Sequence, residues 1–121
     1  MKKRRLLKLA AFLDTVPIEK FDMCLWAVSR RSASKTPQCA TRACALGWAT
    51  AIPEFNRAGL RLMVDAFDST EGVVYFGDLN RFYAAEAFFD IDSDDAGRLF
   101  AEGSNDPKEK AKEIRALVRK S

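Results

Sequence analysis

The chain has 121 residues, 48% of them hydrophobic and 31% charged, with a formal net charge of +3. Such a length suits one domain, residues 1–121. The apolar content excludes a disordered chain, and the dispersed charge excludes a membrane protein. Histidine is absent, which removes Ser-His-Asp and Cys-His hydrolysis, HExxH metallopeptidase chemistry and imidazole proton shuttles.

No Walker P-loop occurs, no GxGxxG opens a helix after a strand, and no stretch approaches the ~20 apolar residues of a membrane span. Met1-Lys2-Lys3-Arg4-Arg5 imitates the basic start of a signal peptide. Lys8 and Asp14 interrupt the apolar run behind it, and no small-residue cleavage site follows. The expectation is a mature cytoplasmic protein whose three cysteines, Cys24, Cys39 and Cys44, stay reduced.

Charge is divided along the chain. Residues 1–64 hold 12 Lys/Arg against 4 Asp/Glu, residues 65–106 hold 2 against 11, and residues 107–121 hold 6 against 2. If the two basic segments fold together, the molecule has a basic side and an acidic side, and that dipole orients a docked partner. The alternative is that charges of both signs only solvate the surface.

The first predicted element is a helix over 4–14. Leu6, Leu9, Ala10 and Leu13 follow the i, i+3, i+4, i+7 pattern, Phe12 and Val16 widen that face, and Pro17 ends the helix. Residues 17–28 are ambiguous in period. Residues 29–38 are polar and basic and read as the clearest loop. Thr36 as cap and Pro37 at the first helical position predict a helix from about 37 to 51, ended by Pro53. Its expected face, Ala40, Ala43, Cys44, Gly47, Trp48 and Ala51, is small enough for a neighbour to approach closely, with Trp48 as anchor.

Residues 60–67 and 73–76 read as strands, and Asp68-Ser69-Thr70-Glu71-Gly72 supplies turn chemistry for a hairpin. Asp78 is expected to cap a helix through about Phe89, with Phe82, Ala85 and Phe89 on one side. Asp92 or Ser93 caps a short helix carrying Leu99 and Phe100. Asp106-Pro107 opens the last helix, with Glu109 at its third position and Ile114, Leu117 and Val118 as its apolar face. The expected fold is α+β and mostly α: four to five short helices and one β-hairpin (about residues 60–76) in a single compact domain.

Cys39-Ala-Thr-Arg-Ala-Cys-Ala-Leu-Gly-Trp48 has the pattern Cys-small-Thr-x-Ala-Cys-x-x-Gly-aromatic and is followed by Ile52-Pro53-Glu54-Phe55. This stretch resembles a group of small proteins of bacteriophages and prophages. Leu6–Val16 with Phe21-Asp22-Met23, and Ala84–Phe89 leading to Leu99-Phe100, resemble other parts of the same proteins, so the likeness spans roughly residues 5–118. Those proteins usually carry Gly after the first Cys, where this chain has Ala40. The resemblance implies a mobile-element accessory protein and no particular activity. Proteins of that class often bind host factors, including defence systems.

Two candidate sites lie around the motif. On one helix Cys39 and Cys44 would stand about 140° apart, too divergent to clasp one ion, so packed thiols are expected rather than a metal site. Cys39, in the first turn of a helix and near Arg30, Arg31, Lys35 and Arg42, could instead be a reactive thiol, although no histidine is present to serve as its base. The same helix start with Arg30, Arg31, Lys35 and Arg42 suits a phosphate, a nucleotide or a nucleic-acid backbone, against the alternative of a solvated basic loop.

Three other patterns are weighed. A helix-turn-helix over 79–89 and 93–101 fails, because Asp92, Asp94 and Asp95 would face phosphates. A calcium loop from Asp90 fails at its sixth position, Asp95, and its twelfth, Ala101. Phe82, Tyr83, Phe88 and Phe89 cannot all share one face; either their helix is sandwiched in the core or one ring is left for a partner.

The expected function is that of a non-catalytic accessory protein of phage type, without cofactor or metal. It would bind a host protein or ribonucleoprotein in the bacterial cytoplasm, with inhibition of a host defence system as one form of that role. The alternative is a nucleic-acid or nucleotide binder using residues 30–42, and the third reading is a cysteine-dependent enzyme centred on Cys39.

Overall fold

The computed structural model describes residues 1–21, 44–64, 72–101 and 105–120. The first helix, α1 (Lys3–Leu13), buries Leu6, Leu9, Ala10 and Leu13, the four positions its periodicity selects. Phe12 packs at the edge of this core and Val16 is buried. Past the helix, the Thr15 hydroxyl donates to the Phe12 carbonyl at 2.7 Å. Pro17 then takes extended backbone and leads into a 3-10 turn, Ile18–Lys20.

The expected helix over 37–51 is not continuous. α2 is only Ala45–Ala49, and Cys44 precedes it in extended conformation (φ −77°, ψ 177°). Its Sγ accepts from the Gly47 N–H at 3.5 Å and so caps α2, while Thr36, Pro37 and the rest of the expected helix up to residue 43 lie outside the described residues. Every residue of α2 is buried, and the small Ala45, Gly47 and Ala49 let it sit between α1, the sheet and the later helices. Trp48 anchors it as expected: its Nε1 donates to the Lys20 carbonyl at 3.0 Å, and its ring lies 6.3 Å from Phe12.

Pro53 was read as a stop and is in fact a start. It opens α3 (Pro53–Arg57) from the first turn, where its missing N–H leaves no bond unmade. Gly59, with φ +109°, then turns the chain into the sheet.

The predicted hairpin is present as β1 (Leu60–Val64) and β2 (Gly72–Phe76), antiparallel, with Leu60 opposite Phe76 and Leu62 opposite Val74. A short third strand, β3 (Leu79–Asn80), pairs with β2 and makes the order β1-β2-β3. Gly77 and Asp78 form the two-residue turn between β2 and β3, with Gly77 at φ +63°. Asp78 therefore lies in a turn rather than capping a helix. The next helix, α4 (Arg81–Phe89), begins after Asn80 with no side-chain cap.

Asp90, in left-handed conformation, ends α4. α5 (Ser93–Phe100) is capped by Asp92, whose carboxylate accepts from the Asp95 N–H at 2.8 Å. The final helix, α6 (Pro107–Lys120), starts where Asp106 accepts from the Lys108 N–H at 2.9 Å. Its buried stripe is Pro107, Lys110, Ala111 and Ile114, while Leu117 and Val118 pack only at the margin. The fold is α+β and mostly α. Among the described residues there are six α-helices and one three-stranded antiparallel sheet.

α1 and α6 make the most extensive contact between elements, and Arg115 pairs with Asp14 across it. The basic helices α1 and α6 therefore lie side by side. Lys110 is fully buried; its ammonium meets Glu113 Oε2 at 2.7 Å and the Arg98 carbonyl at 3.3 Å, tying α6 to the last turn of α5.

The centre of the core is aromatic. Phe88 meets Phe55 at 5.0 Å, Phe76 at 5.2 Å and Phe89 at 5.0 Å, all edge-on, and Phe89 stacks on Phe100 at 5.5 Å. α4 is thus the sandwiched helix, with Phe88 and Phe89 inside, Phe82 at the core margin and Tyr83 68% exposed. Phe88→Ala should lower stability by about 3–5 kcal/mol, read as a fall in the urea midpoint with little change in slope, whereas Tyr83→Ala should move it by less than about 0.5 kcal/mol.

Candidate functional site

Arg30, Arg31, Lys35, Cys39 and Arg42 lie outside the described residues, as does Cys24. Of the expected thiols, Cys44 is described: it is 2% exposed and engaged in the cap of α2. Among the described residues no group of three or more His, Cys, Asp or Glu side chains could hold a metal ion. No helix among them is long and apolar enough to cross a membrane. The acids of 90–95 have local duties: Asp90 meets the N-terminal ammonium at 3.0 Å and Asp92 caps α5.

A second candidate surface lies on the sheet. Leu60, Leu62 and Val74 point into the core, so the period of two turns Arg61 and Met63 of β1 and Tyr75 of β2 to the other face. Arg61, Tyr75 and Asn80 form one row across the three strands, and Met63 and Val73 form the next. With Gly59, Gly77 and Arg81, these residues line a concavity of about 850 Å³. Met63 is 52% exposed, and no acidic residue is among the described lining. Tyrosine, methionine and arginine without Lys, Asp or Glu is the composition of an interface centre rather than of ordinary surface.

Backbone strain marks the rim of this face. Arg81 sits at φ +54°, a left-handed conformation that costs a residue with a Cβ about 1 kcal/mol. The two-residue turn and the immediate start of α4 hold it there, at the lip of the concavity.

A second cleft, of about 330 Å³, lies where α1 begins. Lys2, Lys3, Arg4 and Arg5 line it with Glu54, Phe55 and Ala58. Part of this basic run is structural. Arg5 donates to the Phe88 carbonyl at 2.8 Å with its guanidinium 4.2 Å above the Phe88 ring, and the Lys2 N–H donates to the Phe89 carbonyl at 2.8 Å. They satisfy the last carbonyls of α4, where its dipole is negative. The remainder opposes the dipole of α1, whose first turn holds no acid.

Glu54 is paired with Lys8 at 2.8 Å. The hydrogen bond and then the charge of Lys8 hold its carboxyl below the usual carboxylate range, with smaller help from Arg4 and Arg57. The N-terminal ammonium does the same for Asp90. Lys2 adds a smaller charge effect at Asp90.

The sheet face was missed in the sequence reading because it needs the register of all three strands. The Gly77-Asp78 pair was the available signal, since Gly at the first central position suits a two-residue hairpin turn. No protein-family model, curated protein or solved structure matches the chain.

Carboxyls depressed in the folded state stabilise it above their unfolded pKa, and this contribution is lost as pH falls through the folded value. Stability should therefore drop in acid below about pH 4, and the Glu54→Gln, Asp90→Asn double variant should show a shallower drop, read as urea midpoints at about pH 5 and about pH 3. Arg81→Asn, which places a residue tolerant of left-handed backbone at the strained position, should raise stability by about 0.5–1 kcal/mol, seen as a thermal midpoint a few degrees higher.

Proposed function

We propose that the chain is a non-catalytic binding module of phage accessory type that docks onto a host protein or ribonucleoprotein. The observation that carries this reading is the open sheet face, where Arg61, Met63, Tyr75 and Arg81 surround a concavity with no acid in its described lining. A surface of that composition gains free energy when water leaves it and a partner covers it. The phage element of the reading rests on the motif Cys39–Trp48 and its continuation through Phe55. The absence of histidine supports the non-catalytic reading, since it withholds the commonest general base.

Affinity capture from a bacterial lysate with the wild-type chain and with an Arg61→Glu, Tyr75→Ala variant tests the reading. The same partner should be retained by the wild type and lost from the folded variant. Equal retention by both, or no specific partner for the wild type, would sink it.

A further inference from the structure

We infer that the open sheet face, with the cleft beside it, holds a single-stranded nucleic-acid segment. One base stacks on Tyr75 while Arg61, Arg81 and the cations of the cleft hold phosphates. The inference rests on the binding reading above and names what the face contacts.

Three observations carry it. The row Arg61–Tyr75–Asn80 puts a ring between a cation and an amide on three adjacent strands. A ring in that setting offers a stacking platform, the arginine a phosphate partner, and the amide a donor and acceptor for a base edge.

The second observation is adjacency. Ala58 lines the cleft at the start of α1 and Gly59 lines the sheet concavity, consecutive residues of the α3–β1 junction. Arg57 immediately precedes them and is exposed. In the inferred path, a strand of phosphates laid on Arg61 and Arg81 passes Arg57 to Arg4.

The third is the charge balance of this path. The described linings of both concavities hold a single acid, Glu54, and Lys8 already pairs with it at 2.8 Å. The start of α1 carries cations at the positive end of its own dipole, an arrangement that an anionic partner relieves. An acidic peptide would match the cations but leave the ring and the amide of the central row without a role. A duplex would keep its bases stacked and out of reach of a ring on a sheet.

The test is fluorescence anisotropy with labelled RNA and DNA single strands of roughly twelve nucleotides, and with the duplex of the same sequence. The single strands should bind at low salt at least about ten-fold more tightly than the duplex. With four phosphates neutralised by Arg4, Arg57, Arg61 and Arg81, a roughly fourfold rise in salt should weaken binding about fifty-fold. Tyr75→Ala should weaken binding about ten-fold and Tyr75→Phe should restore it. The Arg61→Gln, Arg81→Gln variant changes only exposed side chains; it should bind more weakly and show a flatter salt dependence. Circular dichroism melts establish that each variant is folded, and if Tyr75→Ala is not, the arginine variant and Tyr75→Phe decide. No binding of either single strand at low salt, equal binding of the duplex, or wild-type binding by the folded arginine variant would overturn the inference. If the oligonucleotides fail while lysate capture still depends on Arg61 and Tyr75, the partner surface is protein: this inference falls and the broader reading stands. If both fail, both fall.

Discussion

Phe88 is the side chain on which the rest of the structure converges. Its ring is met edge-on by Phe55 of α3, Phe76 of β2 and its own neighbour Phe89, and from above by the guanidinium of Arg5 in α1. Four elements distant in sequence are therefore fixed by one fully buried ring. Edge-to-face geometry matters here, because each contact constrains an angle as well as a distance. The sheet is held against α4 through Phe76, so the side of the sheet that remains open is decided by this cluster.

The same cluster explains half of the basic N-terminal run. Arg5 and the backbone of Lys2 close the carbonyls that α4 leaves at its C-terminal end, and buried carbonyls without partners are costly. Lys8 is taken by Glu54. Lys2 and Arg4 then project into a cleft in which Glu54 is the one acid among the described lining. Local structure accounts for part of the charge and leaves a surplus on one side, which is how a small domain carries both a fold and an electrostatic address.

Strain and openness coincide at the sheet. A two-residue turn at Gly77-Asp78 is followed by a strand of two residues and at once by α4, so Arg81 has no room to reach the helix by a relaxed path. With this left-handed backbone Arg81 lines the concavity and stays exposed. Cys44 has the opposite character: the sulfur lies inside, caps a helix of five residues, and is spent on packing.

The periodicity of α1, the caps Asp92 and Asp106, and the strand pair after Gly59 were legible in the sequence because each is a local decision. A helix face, a side-chain cap or a turn is specified within about four to eight residues. What failed was local evidence that tertiary structure outweighs. Pro53 could end one helix or begin the next, and the extended backbone of Ile52 before it makes it the start of α3. Asp78 could cap α4 or occupy a turn, and pairing of Leu79-Asn80 with Tyr75-Phe76 decided for the turn. Arg30, Arg31, Lys35, Cys39 and Arg42 lie outside the described residues, and the sheet face is a separate candidate. Arg61, Tyr75 and Arg81 are separated by fourteen and six positions in sequence. Strand register alone makes them neighbours, and register depends on which face the core removes from water.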